Sequence, residues 1–117
     1  MKVVNDQLEL ALLGRLDGPS VVPDVYIKQC KTYRDAVRLC WSLRRIKYMS
    51  LLQLAGEVGF PQGHRSDYLS VDESKREMPA KYISAFEAVC GNTAVSQWIA
   101  KGAKLTVLEE LQLQRAA

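Results

Sequence analysis

The 117-residue chain holds one histidine and three cysteines, too few for a metal cluster or a disulfide framework. Cys30, Cys40 and Cys90 are odd in number and lack CxxC spacing, which predicts reduced, buried thiols and no bound metal. No apolar run is long enough to span a bilayer, and no charged-then-apolar leader opens the chain, so a cytoplasmic protein without a membrane partner is expected. Internal repeats and low-complexity tracts are missing. So are phosphate-binding glycine loops, paired catalytic carboxylates and nucleophile–base motifs. These absences point away from an enzyme, a cofactor and a small-molecule ligand. The length suits a single domain with one modest core.

Net charge is only +3, but it is unevenly spread. Residues 1–27 carry two basic and four acidic groups, a net of −2; residues 28–76 carry ten and five, a net of +5; residues 77–117 balance at four and four. A positive excess over the middle of the chain suits attraction to phosphates, although a solvated helix face accounts for it as well.

The most informative stretch lies inside that basic region, from Ser50 to Leu69: SLLQLAGEVGFPQGHRSDYL. Ser50 followed by Gln53 forms a capping-box pattern, and Leu51, Leu54, Ala55 and Val58 then recur at helical spacing. Gly59 stops the helix, Pro61 prevents its resumption, and a second short element follows over Gln62–Leu69. That element is polar apart from Tyr68 and Leu69. A small residue at Ala55, a glycine four positions later and a polar second helix are the requirements of a DNA-reading helix-turn-helix.

Around this stretch the helical pattern continues. Thr32 with Asp35 predicts a capped helix running to about Lys47, with Ala36, Leu39, Cys40, Leu43 and Ile46 inward and Arg34, Arg38 and Arg45 outward. Val71–Met78 reads as a charged loop, and Pro79 as the entry to a helix with Tyr82, Ile83, Phe86 and Val89 on one face, ended by Gly91. Asn92 is suited to cap a helix over residues 93–101, which Gly102 should close. Leu105–Leu113 fits a last helix or a strand. Residues 1–24 include a short apolar segment, Gln7–Leu13, and a turn-rich connector; Val25–Ile27 fits an extended piece or the lead-in to the next helix.

The order helix, LLQLAGEVGF, polar helix ending SDYL, charged loop and REMPAKYISAFEAVCG resembles the lambda-repressor-like helix-turn-helix domains of phage repressors and Cro proteins. The similarity covers roughly Tyr33–Gly91. It implies a compact all-α domain of four to five helices, residues 32–103, with an N-terminal arm over 1–31 and a tail over 104–117. Either flanking segment is a candidate dimer element. The pattern departs at Arg65, where the family places an apolar anchor, so the second helix is expected to be shifted by a residue or to carry an insertion through PQGH.

The candidate base and phosphate contacts are Gln62, His64, Arg65, Ser66, Asp67 and Tyr68 on the second element, with Ser50 and Gln53 at the start of the first. Arg44, Arg45 and Lys47, just before it, are candidates for the DNA backbone. A rival placement uses Ala94–Trp98, whose Ser-Gln-Trp run resembles some Cro recognition helices. There Ala88 and Gly91 are three residues apart instead of four, and Val95, Trp98 and Ile99 suit packing better. The expected function is a dimeric, sequence-specific regulator of phage or prophage type, such as a repressor, on a palindromic operator in double-stranded DNA. The other reading keeps the fold but makes it a protein-interaction module, antitoxin-like or an anti-host factor.

Overall fold

Thr32 and Ser50 start the two helices on which the rest is built. Each hydroxyl accepts the backbone N–H three residues on, while Asp35 or Gln53 accepts the N–H of the cap residue, so both capping boxes form as the sequence predicts. The computed structural model describes residues 18–116, and the expected helix over Gln7–Leu13 lies outside them. Among the described residues there are six α-helices and no extended strand: α1 (Asp24–Lys28), α2 (Tyr33–Ser42), α3 (Leu51–Val58), α4 (Arg65–Tyr68), α5 (Ile83–Cys90) and α6 (Ala94–Ala116). A single 3-10 turn, Ala80–Tyr82, leads from Pro79 into α5. The all-α class is as the sequence predicts.

One core joins these helices. It contains Val37 and Cys40 of α2, Leu54 and Ala55 of α3, Phe86 and Cys90 of α5, and Ala94 and Val95 of α6. α2 lies against α6 and α3 against α5, and α5 in turn packs on α6. All three cysteines are free thiols, and Cys40 and Cys90 are fully buried. The neighbouring Cys90 side chain and burial push the Cys40 thiol well above its ordinary pKa, so it stays protonated.

Several expectations need correction. α2 ends at Ser42, not near Lys47, because the following segment folds back: Arg44 stacks on the Trp41 ring at 4.0 Å and donates to the carbonyls of Trp41, Lys47 and Met49. Arg34 is buried, not outward-facing. Val25–Ile27 belongs to helix α1, and the described part of the expected arm packs into the body. Ser20 bridges to Asn92, Val22 and Ile27 enter the core, and the Gln97 amide clamps both backbone groups of Val22 at 2.8 Å. Gly102 does not end a helix; α6 runs through it, so the boundary placed between residues 103 and 104 falls inside one helix.

Gly59 does end α3, with φ 91°. A Cβ there would meet nothing within 4 Å, so the cost of a side chain is conformational alone. Gly59→Ala should lower stability by about 1 kcal/mol, measured by urea denaturation, through the left-handed backbone it must keep. An unchanged midpoint would mean that the turn tolerates another conformation.

Candidate nucleic-acid interface

Between α3 and α4 the chain makes a longer turn than the resemblance implies. Phe60 is buried, His64 donates its N–H to the Pro61 carbonyl at 3.1 Å, and Gly63 takes a second left-handed conformation with φ 85°. The helix therefore begins only at Arg65 and spans four residues. Tyr68 supplies the anchor that the resemblance places at 65. It is 3% exposed and meets Phe60 edge to face at 4.9 Å, and Phe60 in turn meets Tyr82 at 5.2 Å. The inward residue of the second element is thus Tyr68, three positions beyond Arg65.

The loop after α4 is held by Arg34. One guanidinium nitrogen donates to the carbonyls of Asp67 and Ser70 at 2.6 and 3.0 Å, the other to those of Lys75 and Arg76 at 2.6 and 3.0 Å. The Asp67 carboxylate pairs with Arg76 at 3.1 Å. Asp72 accepts from the Ser74 hydroxyl and amide, and these bonds hold its carboxyl below the usual range. Tyr33, at the start of α2, donates its phenol to the Met78 carbonyl at 2.7 Å, and burial pushes its pKa up to about 12.

The expected contact residues separate into two groups. Gln62 and Ser66 are exposed, and Arg65 is half-buried. Among the described arginines of residues 28–76, Arg65 alone has no hydrogen bond or ion pair from its guanidinium. His64 is half-buried, its Nδ1 3.2 Å from the Tyr68 hydroxyl. Ser50 and Gln53 are exposed at the start of α3, their side chains engaged in the capping box. Leu51 and Ser66 line the same open groove, about 600 Å³, whose other walls include Arg38 and Trp41. The beginning of α3 and the outer side of α4 thus meet across one depression.

The other expected contacts are occupied internally. Tyr68 belongs to the core, and Asp67 is tied to Arg76. Arg44 braces the segment after α2, as described above. Arg45 donates to the Gly18 carbonyl at 2.9 Å, the Ser20 hydroxyl at 3.0 Å and the Gly91 carbonyl at 3.1 Å, tying the described N-terminal segment to the end of α5. Lys47 donates to the Ser42 carbonyl at 3.2 Å. These basic groups lie where the sequence places them, before α3, but serve backbone carbonyls.

The rival segment is packed away. Ala94 and Val95 are fully buried, Glu87 accepts from the Ser96 amide at 2.8 Å and hydroxyl at 2.5 Å, and the Trp98 indole donates to the Cys30 carbonyl at 3.0 Å. With Gln97 clamping Val22, the side chains of this run are engaged within the fold, although Ser96 itself is exposed. Sequence reasoning missed Arg34 as the organiser of the site and Arg38 as a groove wall. Their spacing of four along one helix was the available signal, obscured by the expectation that arginines face outward.

Among the described residues, no group of three or more His, Cys, Asp or Glu side chains is placed to hold a metal ion. No described helix is long and apolar enough to cross a membrane. No protein-family model, curated protein or solved structure matches the chain.

Proposed function

We propose that this protein binds double-stranded DNA and regulates transcription, in the manner of lambda-repressor-like phage or prophage regulators. The observation that carries the reading is the contrast between Arg65 and the other arginines of the basic region. Those others are committed to carbonyls or to Asp67, while Arg65 keeps its donors for an external acceptor beside exposed Gln62 and Ser66. A guanidinium suits the paired acceptors on guanine, or a phosphate, and the flanking amide and hydroxyl suit base edges and backbone oxygens. α3, held through α5 by the core, serves as the rigid support. A four-residue reading helix offers few contacts, so specificity calls for two copies on a two-fold operator.

The test is selection of bound sequences from a random duplex pool, followed by titration of variants. Arg65→Ala should stay folded, weaken binding to the selected site by roughly 1–3 kcal/mol and relax preference at one base pair. Arg45→Ala serves as the contrast: it should lower the melting temperature, because it releases the Gly18, Ser20 and Gly91 contacts. If the full chain retains no duplex at low salt, the DNA reading fails and the interaction-module reading replaces it.

A further inference from the structure

Among the described residues, the second half of α6 makes no contact that buries it against the body. Gln97, Trp98 and Lys101 tie the first half to the body through Val22, Cys30 and Asp24. From Lys104 to Arg115 every described side chain is exposed. Thirteen or so residues of lone helix are marginal in water, since propagation barely offsets the cost of nucleation. Yet this segment is rich in apolar side chains. Val107, Leu108 and Leu111 are 55, 46 and 46% exposed; Val107 and Leu111 continue a stripe from Ile99 and Ala103 at spacings of four, and Leu108 flanks it. At its inner end the stripe reaches an apolar notch of about 470 Å³ between α1 and α6, lined by Ile27, Trp98, Ile99 and Ala103.

The geometry points to a second copy of this chain as the occupant of that surface, with two α6 helices packed antiparallel about a two-fold axis near Val107. Charge selects the arrangement. Toward the inner end lie Lys101, already paired with Asp24, and Lys104; toward the outer end lie Glu109, Glu110 and Arg115, a net negative charge, and reversal about Val107 sets Lys104 opposite Glu110. Antiparallel pairing sets the basic end of each helix beside the acidic end of the other; parallel pairing sets like against like. The stripe is likewise self-complementary when reversed. Val107 meets its own counterpart, and Leu111 of the second copy lies opposite Ala103 at the mouth of the notch. Side-by-side helix dipoles attract when opposed, which also favours the antiparallel choice. This deepens the dimer part of the proposed function by naming its surface, and it is tested without DNA.

In sedimentation equilibrium the full chain should behave as a dimer, twice 13.1 kDa. Val107→Glu should keep its helical circular dichroism and weaken self-association by at least about tenfold, as expected for a charge placed at the centre of an apolar interface. For orientation, Ala103→Cys and Leu111→Cys are made separately in a Cys30→Ser background and oxidised alone and mixed. A disulfide between positions 103 and 111 in the mixture, with neither variant linking to itself, supports the antiparallel pair. A monomer at high micromolar concentration, or a Val107→Glu dimer as tight as the unmodified one, overturns the surface. Self-linked variants overturn the orientation. DNA binding by a monomer would leave the nucleic-acid reading standing while this one failed.

Discussion

Arg34→Leu is expected to lower stability by about 3 kcal/mol or more, a fall of roughly 10–20 °C in melting temperature for a domain of this size. The side chain is 3% exposed and its two terminal nitrogens serve four carbonyls over residues 67–76. Leucine fills much of the volume but returns none of the donors. Carbonyls turned inward to meet the guanidinium would be left without partners, each an expensive loss away from water. Arg34→Lys should recover little, because a single ammonium cannot reproduce two nitrogens pointing to two pairs of acceptors. Thermal denaturation measures the loss, and hydrogen exchange should show residues 70–76 opening ahead of the helices. A leucine variant as stable as the parent would remove Arg34 as the organiser of the site.

Phe86→Ala should cost about 3–5 kcal/mol in urea denaturation, the range for emptying a large aromatic from a packed interior. Phe86 has no exposed surface, and its ring lies 6.3 Å from Phe60, which in turn contacts Tyr68 and Tyr82. A void there undermines the stack that holds Tyr68, the inward anchor of α4, so the candidate reading surface should loosen along with the core. Phe86→Leu keeps most of the volume and should cost about half as much or less. If alanine and leucine proved equally mild, the aromatic stack would not be what holds α4 in place.

How much of this was legible depended on the range of the interactions. Both capping boxes, the left-handed Gly59 and the end of α5 at Gly91 are local events, encoded within three or four residues, and they were readable. The end of α2 was not. Its apolar stripe continues through Leu43 and Ile46, and the helix stops because Arg44 finds carbonyls at Trp41, Lys47 and Met49 and the Arg45 amide finds Cys90. Gly102 misled in the opposite direction: a weak helix former is tolerated within a long helix whose neighbours all favour it. In the candidate site, Arg65 and Ser66 were recognisable from their place after the turn. Tyr68 was legible as the apolar end of a polar segment, but its role as anchor depended on the length of the turn through residues 61–64. Arg45 and Lys47 looked like phosphate contacts because the carbonyls they satisfy are distant in sequence or gathered by a turn that no periodicity reveals.

The bonds between α6 and the residues before α2 span 75 positions for Val22 with Gln97, 68 for Cys30 with Trp98 and 77 for Asp24 with Lys101. Closing so long a stretch of chain carries an entropic penalty set mostly by its first few tens of residues and growing only slowly thereafter. Such contacts reward the chain late, after helices with four-residue hydrogen bonds have formed. Folding therefore ends where the residues before α2 meet the first half of α6, and the α3–α4 pair between them is enclosed by that closure. A fragment beginning at residue 32 would lose Val22 and Ile27 from the core, uncover the buried side of α6 and leave the Gln97 amide and the Trp98 indole without their acceptors. The smallest self-sufficient folding unit starts no later than Ser20, so the candidate DNA-reading element and the segment ahead of it form one cooperative unit.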